Sequence, residues 1–244
     1  MSDTPASATL TEARRDELRA RLVGQIPRWY SPYAHLIVPS VVGLGLITVA
    51  ILLLRDLRAW QLLLLPVFFL ISNATEWRVH RDVLHKRQWF APVLYDRHTP
   101  EHHIVFITED MAMKSAREFR LVLVPAYGVL LLFIGTLPAA AVLWLVGLRN
   151  VGLLFVAQAL LYTVTYEWLH LSYHLPATSR IGRSRIISAL RRHHATHHDP
   201  ALMQKWNFNV SLPLWDLVRG TIYKASPSAS SAARTEARSE IRPA

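Results

Sequence analysis

Cysteine is absent from all 244 residues. That excludes disulfides, a cysteine-ligated iron–sulfur cluster and a covalently attached c-type haem. Any electrons the chain needs must come from another protein. Acidic residues are also scarce, 17 against 27 Lys and Arg, for a net charge of +10 with histidine neutral. The cations flank apolar runs and form no basic stripe with interleaved aromatics, so membrane topology accounts for them and no nucleic-acid partner is expected. The N-terminus through Pro27 has no apolar core and does not read as a cleavable signal peptide. Thr11 to Val23 reads instead as a capped, charged, partly amphipathic helix at the bilayer surface. No internal repeat is visible.

What is present is apolar: 52% of residues are hydrophobic, arranged in long runs that place the chain in the membrane class. His35 to Leu54 carries no charge and is long enough to cross a hydrocarbon core of about 30 Å. Trp60 to Ala74 continues without a breaker into Glu76-Trp-Arg-Val-His80, so one helix should leave the bilayer carrying histidine on its extension. Phe119 to Leu148 is too long for one ordinary span. Gly135-Thr-Leu-Pro138 inside it predicts a crossing followed by a kink, turn or re-entrant piece. Val151 to His170 returns as another span. The expected fold is all-α, a membrane bundle of about four spanning helices capped by a cytosolic histidine-rich helical domain. Lys and Arg gather before His35, around the histidines and after His170, with only Arg55, Arg58 and Arg149 in the opposite turns. By the positive-inside rule the N-terminus, the histidines and the tail face the cytosol, of a cytoplasmic membrane if the source is bacterial. The expected organisation is a cytosolic or interfacial segment over 1–33, the bundle with its metal domain over 34–224, and a disordered Ser/Ala/Arg-rich tail over 225–244.

Eleven of the twelve histidines fall in four tight groups just outside the apolar runs: His80/His85, His98/His102/His103, His170/His174 and His193/His194/His197/His198. Imidazole is the commonest protein metal ligand and binds as the neutral base near pH 7. Ten or so converging rings could hold two first-row metal ions without any thiolate. His35 stands alone and reads as an interfacial residue, as do Trp29, Tyr30, Tyr33, Trp60 and Tyr166 near span ends.

Spacing refines the expectation. Residues four apart on a helix differ by about 40° in direction, so His170 and His174 share a face that Glu167 joins. Glu167, and Glu76 one turn before His80, are candidates to orient the ligating rings, because a metal-bound imidazole usually passes its other N–H to a carboxylate or carbonyl. His80 and His85, five apart, lie about 140° around a regular helix, so both serve one centre only if the helix ends, bulges or straddles two metals. In Asp96-Arg-His98-Thr-Pro-Glu-His102-His103, Thr99 and Pro100 read as an N-cap and first helical residue, with His98 just ahead of the helix. In the last group His194 is favoured over His193 as partner of His197 and His198, leaving His193 and Asp199 as possible outer neighbours.

His80-x4-His85, His98-x3-His102-His103, His170-x3-His174 and His194-x2-His197-His198, followed by Trp206-Asn-Phe-Asn-Val-Ser and Trp215-Asp216, resemble the fatty acid hydroxylase/sterol desaturase superfamily of integral-membrane enzymes. The resemblance runs from about Pro32 to Tyr223 and rests on the order of the boxes together with the closing Asn-Phe and Trp-Asp segment. It implies two non-haem iron ions held by those ten histidines, O₂ as co-substrate, oxidation of a lipid C–H bond, and a ferredoxin- or cytochrome b5-like electron donor. A Gly often follows the Asn-Phe pair in that pattern. Here it is Asn209, which tolerates a left-handed backbone better than most residues and could also reach a metal through water. No cytochrome b5-like domain is fused within these residues, so a separate donor is expected.

Two other readings compete. His98-Thr-Pro-Glu101-His102 fits the H-x-x-E-H pattern of zinc peptidases, with Glu101 as general base, but such a site uses three ligands and leaves about seven histidines unexplained. A metal transporter would carry ionisable ligands near mid-bilayer, and the spans are almost bare of them. Hydroxylation and desaturation share their first hydrogen abstraction, and the sequence does not choose between them.

Overall fold

The computed structural model describes residues 10–224. The expected tail over 225–244 lies outside them. Secondary structure among the described residues is helical, apart from one isolated bridge between Ile107 and Asp110.

Among the described residues, four helices are long and apolar enough to cross a membrane: Pro32–Leu52, Ala59–Leu84, Ala126–Leu145 and Arg149–Tyr173. The fourth packs against each of the other three. Asn150 ties the far-end turns together, its side chain accepting from the Arg55 amide and donating to the Arg55 carbonyl. Leu44, Val49, Leu131, Leu145 and many other apolar side chains remain exposed along these helices, the surface expected against lipid. Within the bundle, Val129, Phe133, Leu160 and Val164 pack together. Gly43 lets the first helix approach them, since a Cβ there would meet Val164 at 2.8 Å.

Of the kink, turn or re-entrant piece expected within 119–148, the structure shows a one-residue irregularity and no re-entrant piece. Ala126–Leu145 is a single span with one irregular residue, Thr136, after which Pro138 sits in the first turn of the next stretch, where its missing N–H costs little. Phe119–Val122 is a separate short helix before Pro125. It belongs to the core beneath the histidines, with Leu36, Val105, Phe106 and Leu171.

The N-terminal helix, Glu12–Gly24, begins at the Thr11 cap. Its buried Arg19 donates to the Val105 carbonyl, lies over the Phe106 ring and pairs with Asp110 and Glu118. His35 is held by the Tyr30 hydroxyl at 2.7 Å and the Val124 carbonyl at 2.9 Å.

Candidate metal centre

Ten histidines converge at one end of the long helices, in two groups of five. His80, His85, His98, His103 and His197 form the first, and His102, His170, His174, His194 and His198 the second. Within each, one ligand nitrogen per residue lies within 4.8 Å of all the others, and all ten residues are buried. No carboxylate joins either group.

Two kinds of helical turn build these groups. The second group takes its pairs from α-helical spacing, His170/His174 and His194/His198, four apart on the fourth long helix and on Arg185–His197. The first uses two π turns, His80–Leu84 and His98–His102. A π turn closes i→i+5, so residues five apart share a face. Nε2 of His85 comes to 3.3 Å from that of His80, and Nε2 of His103 to 3.1 Å from that of His98. The neighbours His102/His103 and His197/His198 divide between the groups, because consecutive helical residues point in different directions.

The helix is continuous through His98, and Thr99 is no N-cap: its hydroxyl donates to the Leu84 carbonyl. A widened turn relieves the clash between the Pro100 ring and the preceding turn of backbone. The H-x-x-E-H reading also fails here, since His98 and His102 enter different groups and Glu101 enters neither.

Peptide carbonyls set the rings. Nδ1 of His80, His102, His174, His197 and His198 faces the carbonyl of Phe208, Leu121, Met111, Trp206 and Phe106 respectively, at 2.5–2.9 Å. A carbonyl oxygen can only accept, so these five rings carry their proton on Nδ1 and turn a bare Nε2 lone pair inward. Burial holds His98, His103, His174, His194 and their neighbours well below the ordinary imidazole value of 6.5, in the neutral form a metal requires.

Those five inward nitrogens therefore have no proton to share. Nε2 of His85 lies 2.9 Å from that of His197, and Nε2 of His194 lies 3.0 Å from that of His198. One donor cannot satisfy every such contact. Nε2 of His102, His170 and His174 has no hydrogen-bond partner. Buried orphan acceptors are costly, and a cation between them is the group this donor set fits. Imidazole suits iron, zinc, copper and nickel, but five ligands per group exceed what tetrahedral zinc takes.

The expected carboxylate partners do other work. Glu76 makes no hydrogen bond to His80. It accepts from the Val210 amide, from the Ser211 amide at 3.0 Å, and from the Ser211 and Tyr162 hydroxyls, so it secures the loop that supplies the Phe208 carbonyl. Glu167 makes no hydrogen bond to His170 and lines a recess with His35 and Ser40 instead. Asp199 caps its own turn at the Ala201 amide. Asn209 is bound to Asn73 and Asp216, away from the rings. The left-handed residue of this loop is Asn207, at φ 57°. His193 is partly exposed and pairs with Asp216 at 3.1 Å, while His194 enters the second group.

Two supporting residues escaped the sequence reading. Asp216, fully buried, accepts from the Phe208 and Asn209 amides and the Thr221 hydroxyl; only its Trp-Asp neighbourhood marked it. Asn73, also fully buried, receives the Trp215 amide and donates to the Leu212 carbonyl. An amide side chain inside an apolar run was the available signal. A narrow, partly open cleft reaches the centre, lined by His98, His102 and His170 and by Leu84, Leu121 and Tyr166 among others.

The solved structure of full-length scs7p, in which only the hydroxylase domain is visible, shares this fold at a TM-score of 0.51 and 17% identity, over 80% of this chain and 67% of that one. No curated protein matches the chain at a significant level. The family profile for fatty acid hydroxylase matches residues 65–221, from the second long helix through Thr221. With the histidine end of the bundle inside that match, the chain belongs to the fatty acid hydroxylase family.

Proposed function

We propose that this protein is a non-haem di-iron monooxygenase that hydroxylates an acyl chain or related apolar lipid drawn from the bilayer, with its histidine cap on the cytosolic side. The observation that carries this reading is the pair of five-imidazole groups at the end of an apolar bundle. His80, His85, His98, His103 and His197 would hold one ion, and His102, His170, His174, His194 and His198 the other. Bound iron would supply activation of O₂, which no side chain of this protein performs alone. Desaturation would begin with the same hydrogen removal; family membership favours hydroxylation.

The chain's own residues orient and enclose. Five peptide carbonyls keep Nδ1 protonated and point Nε2 inward. The buried rings of Trp77, Phe106, Tyr173 and Phe208 exclude water from the histidines. Leu84, Leu121 and Tyr166 give the cleft an apolar wall that suits a hydrocarbon chain. Electrons would arrive from a separate acidic redox protein, ferredoxin- or cytochrome b5-like, at the exposed cations Lys86, Arg87, Arg183, Arg185 and Arg192. A reduction rate insensitive to ionic strength would leave those residues a topological role alone.

Metal analysis of protein purified without oxygen, followed by turnover with and without O₂, tests the main reading. The expected result is about two irons per chain and a lipid product with one added oxygen atom, formed only with O₂. One zinc with O₂-independent turnover would replace it with a hydrolase.

A further inference from the structure

Arg97 lines the cleft beside His98, His102 and His170. One of its η-nitrogens donates to the Arg120 carbonyl, which accounts for a single one of its five donors. Its Nε is buried and has no partner. Among the described residues, no ion pair involves Arg97 or Arg120. Glu101 is close enough for its charge to be felt, yet forms no ion pair with it, and Arg120 adds charge of the same sign. Glu167 also feels its charge without forming an ion pair with it, and the other polar groups near it are the phenols of Tyr30 and Tyr127 and the rings of His35 and His102.

A guanidinium drawn out of water without a counter-charge is costly, and proteins keep such a group where an anion completes it. Arginine's planar fork matches the two oxygens of a carboxylate, or two of a phosphate. Holding the Phe119–Val122 segment through the Arg120 carbonyl would need only one neutral donor. That role explains neither the unpaired charge nor its place on the cleft wall.

We propose that Arg97 recognises the anionic head group of the lipid that enters this cleft, a carboxylate or a phosphate monoester, so that the substrate is an acidic lipid and not a neutral sterol or carotenoid. Arg97 is then a substrate-binding residue. The inference rests on the hydroxylase reading only for what becomes of the lipid once bound; the binding itself requires no metal.

Equilibrium binding of three radiolabelled lipids with the same chain, palmitate, hexadecyl phosphate and hexadecanol, to the full chain in lipid nanodiscs tests it, with metal-free and iron-loaded protein compared. At least one anionic lipid should bind about tenfold more tightly than the alcohol, and the tighter of the two identifies the head group. Arg97→Gln should erase that preference and leave hexadecanol binding unchanged. Arg97→Lys should keep part of it, because the charge remains but the fork is lost. Equal binding of all three lipids by the unaltered protein, or a uniform loss of all three in Arg97→Gln, would overturn the proposal and leave Arg97 a packing role. If Arg97→Gln does not fold, salt decides: palmitate binding that weakens no more than hexadecanol binding as ionic strength rises counts against an ionic contact. Lost head-group selectivity in a protein that still holds two irons defeats this inference alone. Selectivity in a protein that takes up no iron defeats the oxygenase reading alone.

Discussion

His80 and His85 share one side of their helix because the His85 amide donates to the His80 carbonyl across a π turn, at 3.1 Å. A regular α-helix would hold the two rings about 140° apart. Inserting one Ala between Asp82 and Val83 should break this i→i+5 register and swing His85 out of the first group. Bound metal is expected to fall by about half, with the second group still loaded. Metal counting on the purified variant checks this, and full metal content would show that the π turn is dispensable.

His193 and His194 are adjacent but differ in role. His194→Ala should lower metal content, whereas His193→Ala should retain it. The latter loses only the contact to Asp216, a stability cost of about 1–2 kcal/mol. Parallel metal analysis and thermal unfolding separate the two, and equal metal loss would contradict the assignment.

Glu76 acts at one remove, through the loop at Val210 and Ser211. Glu76→Ala should free that loop, misplace the carbonyl that holds His80 and weaken metal affinity about 10–100-fold. Competition against a chelator of known affinity measures it. An unchanged affinity would show that the Phe208 carbonyl is held by other contacts.

The pH dependence of the metal-free protein follows from burial. His98, His194 and His197 lie well below 6.5 in the folded chain, and each returns to its ordinary value when unfolded. The unfolded chain therefore binds more protons below about pH 6.5, so stability is complete above that value and is lost progressively as pH falls beneath it. Thermal midpoints measured from about pH 8 to 5 should be flat and then decline. A midpoint that holds steady to pH 5 would mean the rings are already protonated or exposed.

Much of this arrangement was legible from residue order. The four apolar runs correspond to the long helices, and the histidine boxes at their exits supply the ten rings that converge, with His194 and not His193 inside the cluster. The π turn at His80 was one of three alternatives that the five-residue spacing left open, and the one at His98 was not legible, because helical wheels assume regular spacing and the local sequence is compatible with either. Glu76 and Glu167 were misassigned for a different reason: a carboxylate near a histidine in sequence says nothing of a peptide carbonyl arriving from a distant segment. Of the kink, turn or re-entrant piece expected near Thr136 only the mildest form is present, since a proline in the first turn after an irregular residue lets the helix go on.

The acceptors that lock the imidazole tautomers are the main-chain oxygens of Phe106, Met111, Leu121, Trp206 and Phe208. Every amino acid brings that atom, whatever its side chain. Substitution at those five positions is therefore constrained by volume and backbone path alone, and tautomer control is written into chain trajectory instead of residue type. A fold shared with another protein at only 17% identity is compatible with that, because a backbone path can persist while side chains drift.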